Sequence, residues 1–212
     1  MNKIKSVITA AVLSAVASAS CAAANGGEAS SSAANANNGG LAGKKVLVAY
    51  FSRSGENYGV GHVEKGNTQV LAETIAEQTG AATFHIEPVV PYADDYDGCV
   101  EQAKKEKEAG ARPAIKGDVK VEDYDVIFLG YPNWWADCPM AVYTFIERHN
   151  WAGKVVMPFC THEGSGLSAT EASLRKACAG AVVKKGLALR GRTAQKDRET
   201  AKEAVEKWIA NL

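Results

Sequence analysis

The stretch VLVAYFSRSGEN, residues 46–57, limits what this chain can become more than any other part of it. Val46, Leu47, Val48 and Ala49 form a continuous apolar run, as expected of a strand covered on both faces of a parallel sheet. The run stops in small and hydroxylated residues, Ser52, Ser54 and Gly55, and a helical pattern opens after Asn67 and Thr68. A strand that breaks into a Ser/Gly loop and then opens a helix makes a phosphate cradle. The helix N-terminus offers unpaired N–H groups and partial positive charge, and the hydroxyls add donors.

The same alternation repeats downstream. Apolar spacing predicts a helix over 69–79, ended by Gly80, and a strand over 82–87. After a break at 88–91 come a charged helix (95–110), a strand (124–130), a helix (139–148), a strand (154–160) and a helix (169–179). A last strand over 182–189 is interrupted at 184–186, and a helix over 197–212 closes the chain. This βα alternation predicts an α/β fold: a doubly wound, five-stranded parallel sheet in the order 2-1-3-4-5, with helices on both faces. In that order the first, third and fourth strands are neighbours, so three loops meet at one sheet edge: SRSGEN…GNT, YPNWWAD and THEGSG. The loops after the second and fifth strands look ordinary. His85 reads as a strand-face residue, the Lys/Glu run of 101–108 as a solvated helix face, and Trp151 and Trp208 as packing residues.

Residues 1–20 read as an export signal, with Lys3 and Lys5 as its basic start, an apolar core at 7–16 and a small-residue cleavage site at Ala17-Ser18-Ala19. The core is too short to stay in a bilayer as a spanning helix. Cys21, just past the cleavage site, resembles the lipid-modified first residue of a bacterial lipoprotein; plain soluble export is the alternative. Residues 21–43 are mainly Ala, Ser, Asn and Gly, a flexible linker that leaves 44–212 as one domain. The expected location is outside the cytoplasmic membrane, periplasmic or held to the membrane only through the lipid.

The chain carries 24 basic and 24 acidic side chains; setting aside Lys3, Lys5 and Glu28 leaves 22 against 23, a domain net charge of −1. That excludes a general electrostatic grip on nucleic acid. The domain cysteines, Cys99, Cys138, Cys160 and Cys178, match no zinc or CxxC spacing and read as small buried side chains, and no metal site is expected. Cys138 and Cys160 fall at the same sheet edge, so a bridge between them is conceivable. A phosphatase is disfavoured because there is no Cys-x5-Arg loop.

YFSRSG with GNT, GYPNWW and PFCTHEGSG, in that order, resemble the flavodoxin family, in particular its exported bacterial members, over 45–212. The resemblance implies FMN as cofactor. On the residues themselves, Ser52, Ser54, Thr68, Asn67 and the N–H groups near Gly55 suit a phosphate monoester, with Arg53 as an optional charge. The resemblance implies that Tyr131, Pro132, Asn133, Trp134 and Trp135 line the flavin ring, for which an indole is a suitable flat face. It also implies that Thr161, His162, Glu163, Gly164, Ser165 and Gly166 grip the pyrimidine edge. His162 and Glu163 read either as a proton relay or as solvent-facing loop residues. The family's phosphate motif is normally continuous; here 56–66 is inserted, and either Glu56-Asn57 or Asn67-Thr68 completes it. The second is favoured because Asn and Thr cap helices well. The insert is then a flap over the ribityl-phosphate region or a passive surface hairpin. Where related loops carry glycine after the aromatic pair, this chain has Ala136 and Asp137. Asp137, if close to the flavin, would lower its potential.

Three functions follow. The first is an FMN-binding electron carrier with unidentified donor and acceptor proteins. The second is an FMN-dependent NAD(P)H:quinone-type oxidoreductase, although no second glycine-rich nucleotide loop is visible. The third is a flavin-free binding protein on the same fold. No residue is assigned a catalytic role. No twin-arginine pair precedes the signal core, so the chain is expected to cross unfolded and to acquire FMN outside.

Overall fold

A computed structural model describes residues 39–212; the export signal, Cys21 and the linker up to residue 38 lie outside the described residues. In chain order the elements are β1 (Val46–Tyr50), β2 (Gly55–Asn57), β3 (Gly61–Val63), α1 (Asn67–Thr79), β4 (Ala82–His85), α2 (Tyr96–Glu108), β5 (Val126–Pro132) and α3 (Met140–Glu147). They continue with β6 (Val155–His162), α4 (Thr170–Ala177), β7 (Val182–Val183), β8 (Leu187–Arg190), α5 (Gly191–Lys196) and α6 (Arg198–Ile209).

The main sheet runs β4-β1-β5-β6-β7, with β8 also on β6, and every pair in it is parallel. This is the expected 2-1-3-4-5 order of a doubly wound sheet, its fifth strand split in two. β7 pairs with Val155 and Val156 and β8 with Phe159 to His162, so the split lies opposite Met157 and Pro158. Pro158 brings no N–H to a ladder. Gly186, inside the split, gives its N–H to Glu171 Oε1 instead (2.7 Å).

Side chains of successive strand residues enter opposite cores. Leu47, Ala49, Phe51, Ile127 and Leu129 pack with Phe145 of α3 and Leu174 of α4. Val48, Tyr50, Phe128 and Phe159 pack with Leu71 and Ile75 of α1 and with Val205 and Ile209 of α6. Burial on both faces is why the strands read as unbroken apolar runs. Gly130 has no room for a side chain: an added Cβ would lie 2.1 Å from the Phe159 ring. Trp151 and Trp208 are packing residues, donating their indole N–H groups to the carbonyls of Ile146 and Lys185.

Two local expectations change. Gly39–Leu41 forms a 3-10 turn and Leu41 is buried in the α1/α6 core, so ordered chain begins before residue 44. The short helix α5 has no apolar periodicity in the sequence and was not expected; it follows directly from β8. The four domain cysteines are buried free thiols, with no Cys138–Cys160 bridge.

Ile127 is fully buried in the central strand β5. Ile127→Ala should lower the unfolding free energy by about 2–5 kcal/mol, read as a lower urea midpoint at unchanged m-value.

Candidate functional site

The site begins where β1 ends. Ser52 Oγ accepts the N–H of Gln69 (3.0 Å), so a loop serine caps α1 from outside the helix. The helix starts at Asn67 rather than at Gln69, and Gly66 is its N-cap without a side-chain bond of its own. An added Cβ on Gly66 would lie 2.2 Å from the Arg53 carbonyl oxygen and 2.3 Å from Ser52 Oγ. Only glycine allows this approach. As the first residues of α1, Asn67 and Thr68 have N–H groups with no acceptor inside the helix. Thr68 is buried and its hydroxyl meets that of Thr161, at the end of β6, at 2.7 Å.

The inserted residues form the antiparallel hairpin β2–β3. The Arg53 guanidinium fastens it to the segment before α2, donating to the carbonyls of Ala93, Asp94, Asp95 and Glu56. The Glu56 N–H adds a bond to Asp94 O (2.8 Å), and the Tyr96 N–H donates to the Glu56 carboxylate (3.1 Å). At the tip, Tyr58 lies against Tyr96 (5.8 Å between centroids) and Gly59 lies against the Glu163–Arg192 pair.

After β5, Trp134 and Asp137 exchange backbone bonds of 2.9 and 3.0 Å across a tight turn. Trp135 and Ala136, its central residues, both have left-handed φ (54° and 62°). Trp134 packs edge-on against Phe51 and Tyr92, with centroids 5.2 and 5.0 Å away. Trp135 turns outward and donates its indole N–H to Val100 O (3.3 Å).

After β6, His162 Nδ1 accepts the Gly164 N–H (3.0 Å), which places any ring proton of the neutral imidazole on Nε2. Burial, and then the nearby Arg190 charge, hold its pKa below the ordinary histidine value. The Glu163 carboxylate accepts from the Arg192 backbone N–H (2.8 Å) and from its Nε (2.7 Å). It is therefore part of an ion pair with α5, neither a free relay nor a solvated loop residue.

These parts enclose one crevice of about 150 Å³. Its floor and sides come from Asn67, Pro132, Asn133, Trp134 and 161–163, and Asn57 and Tyr58 of the hairpin complete it with Tyr96. Asn57 and Asn67 thus face the same space, so both alternatives for the split motif meet there and the hairpin is a wall of the crevice.

Several expected residues stand elsewhere. Ser52, Arg53 and Ser54 line a neighbouring cavity of about 400 Å³ towards β4, with His85 and Tyr92. The Arg53 guanidinium is engaged by carbonyls and is not a free charge for a phosphate. Tyr131 is fully buried, its hydroxyl on Thr170 Oγ1 (2.9 Å), and does not line the crevice. The pleat sends it to the core while Pro132 points to the crevice. Gly164, Ser165 and Gly166 turn away from the lining; the Gly166 carbonyl accepts from the Asn133 amide (2.8 Å). The Asp137 carboxylate caps Cys138 N–H and takes the Tyr143 hydroxyl, facing α3 rather than the crevice. Sequence reading missed Tyr58 and Tyr96. The signal was present in Asp95, whose carboxylate caps α2 through the Gly98 N–H (2.7 Å) and so fixes Tyr96 at the first helical position.

The set fits a ligand with an anionic end and a flat ring: the α1 N-terminus at Asn67, an indole wall at Trp134 and the 161–163 segment. A family model described as flavodoxin (Flavodoxin_4) matches residues 45–212. A candidate flavoprotein of known structure from Bacteroides eggerthii is 32% identical, over 78% of this chain and 96% of its own, with a TM-score of 0.63. One from Bacteroides uniformis is 31% identical, over 77% and 99%, also with a TM-score of 0.63. A flavoprotein in complex with FMN from Lactobacillus acidophilus shares the fold at 21% identity, over 71% and 95%, with a TM-score of 0.55. No curated protein shows significant similarity.

Thr68→Val should cost about 1–3 kcal/mol, because it leaves the buried Thr161 hydroxyl without its partner. Ser52→Ala should cost about 1 kcal/mol as the loss of a helix cap. Both are read from denaturant midpoints, and additivity of the two should fail in the double variant because both bonds tie α1 to the same edge.

Proposed function

The chain belongs to the flavodoxin family, and on that premise we propose that it is an FMN-binding electron-transfer protein acting outside the cytoplasmic membrane, tethered there by lipid on Cys21. The observation that carries the FMN reading is the convergence of the α1 N-terminus, Trp134 and the 161–163 segment on one crevice. The relative from Lactobacillus acidophilus whose structure contains FMN supports it.

When bound, FMN supplies the redox chemistry, and the protein sets its orientation and potential. The N–H groups at the start of α1, at Asn67, would hold the phosphate with the positive end of the helix behind them. Trp134 would offer its indole to the ring. The 161–163 segment would border the pyrimidine edge, where His162, its pKa held low by burial and then Arg190, would supply less positive charge to a reduced flavin than an imidazolium. Asn57 and Tyr58 of the hairpin would exclude water from one side of the bound flavin. Electron donor and acceptor are other proteins that approach the mouth between Tyr58 and Trp135, both exposed.

Purified protein should be yellow, or should quench added FMN fluorescence at one FMN per chain; riboflavin, lacking the phosphate, should bind at least tenfold more weakly. A colourless protein that binds neither flavin would sink this reading and favour a flavin-free binding role. In cells, Cys21→Ser should move the protein from the membrane fraction to the soluble exported fraction; unchanged partitioning would remove the lipid anchor.

A further inference from the structure

Lys65, at the end of the insert, and Gln195, in the short helix α5, both stand outside the crevice lining. Gln195 links the first to the crevice wall. Its Nε2 donates to the Lys65 carbonyl (2.7 Å) and to Asn67 Oδ1 (3.0 Å). We propose that Gln195 is a positioning residue that sets the specificity of the site. It turns the Asn67 amide so that the N–H groups, not the oxygen, are offered to the ligand, and so favours a flavin with a phosphate over one without. The inference rests on the flavin reading above and adds to it a residue that does not touch the ligand.

A side-chain amide can stand either way round, and its partners decide which. The Lys65 carbonyl can only accept. It therefore fixes Nε2 as the Gln195 atom that faces it; the reversed amide would set two oxygens 2.7 Å apart. Nε2 in turn can only donate, so Asn67 meets it with Oδ1. Asn67 Nδ2 is left as the open end of the amide, and no residue among those described accepts from it. Gly191, the first residue of α5, leaves room for that end: an added Cβ would lie 2.3 Å from Nδ2. One backbone carbonyl thus determines, through two amides, what Asn67 presents.

The consequence is chemical. An ionised phosphate offers only acceptors, so an amide N–H attracts it and an amide oxygen repels it. Asn67 borders the crevice as the first residue of α1. Its amide donors then act beside the backbone N–H groups and partial positive charge of the helix start. With the amide reversed, the oxygen would oppose them.

The test is titration of the full-length protein with FMN and with riboflavin, followed by flavin fluorescence, with a urea midpoint to confirm folding. A carboxylate at position 195 cannot donate to Lys65 or to Asn67 Oδ1. It should draw Asn67 Nδ2 to itself and turn Oδ1 to the ligand. Gln195→Glu should therefore weaken FMN about tenfold, the effect of one hydrogen bond to a charged group, and leave riboflavin unchanged. Gln195→Ala only frees the amide and should weaken FMN less; it carries the same comparison if Gln195→Glu does not fold. In an Asn67→Ala background, Gln195→Glu should no longer change the ratio of the two affinities. Plain repulsion between the new carboxylate and the phosphate would persist there and would overturn the proposal. So would equal weakening of both flavins, the mark of a purely structural role for Gln195. A wild type that prefers FMN to riboflavin, with folded single variants that keep the full preference, removes the proposal alone. A wild type without that preference removes the flavin-phosphate reading and the proposal together.

Discussion

The close approach of Gly66 to the Ser52–Arg53 peptide is the constraint on which the site depends. It presses the first turn of α1 against the end of β1, closer than any side chain would allow. From there Ser52 can cap the helix through Gln69, and Thr68 can reach Thr161 across the sheet edge. Ends of β1 and β6, which flank β5 in the sheet, are thereby joined by one helix terminus. The crevice sits where these three strand ends meet, at the point where the strand order reverses, as open α/β sheets favour.

The electrostatics follow from how the insert is held. Two cations near the crevice are committed elsewhere, Arg53 to four carbonyls and Arg192 to the Glu163 carboxylate, while Arg190 stands close enough to act on His162. Arg53 fastens the base of the hairpin, and the Glu163–Arg192 pair lies beside its tip at Gly59. A phosphate at the α1 N-terminus would meet oriented N–H groups, and such dipoles need little reorganisation. The Glu163–Arg192 pair combines a backbone and a side-chain bond on one carboxylate that is only 11% exposed, a more favourable geometry than a solvent-exposed pair.

The fold was legible because both faces of the sheet are covered. That requirement writes continuous apolar runs into 46–49 and 126–129, and helical spacing between them is hard to mistake. Even the break in the last strand was visible, as Lys184-Lys185-Gly186. The site was legible by loop but not by atom. Tyr131 was misread because strand β5 extends through Pro132, and a pleat, not a loop, decides which side chain faces out. Ser52 and Ser54 looked like the firm half of the cradle; yet the insert diverts the chain after Gly55, both residues line the neighbouring cavity, and Ser52 Oγ is taken up by the Gln69 N–H. The segment after β4 looked ordinary because its contribution is made by carbonyls 93–95, which no residue type announces. Tyr58 and Tyr96 reach the crevice only through the hairpin and the cap of α2, long-range contacts that have no local pattern.

The two adjacent tryptophans show how backbone conformation divides one sequence motif into two roles. A left-handed φ costs a bulky residue about 1–2 kcal/mol, and Trp135 and Ala136 both adopt it. The turn persists because its surroundings over-determine it. Trp134 and Asp137 bond across it twice, Lys107 of α2 donates to the Trp135 carbonyl, and Trp135 in turn donates to Val100. Asp137 is itself fixed by the Tyr143 hydroxyl. With that reversal in place, Trp134 is driven against the Phe51–Tyr92 pair while Trp135 is left on the surface under Lys104. Helix α2 thus holds the strained turn with one face and, through the segment entering it, the hairpin with its N-terminal end. The position of Trp134 in the crevice wall is therefore a property of α2 as much as of the loop that carries it.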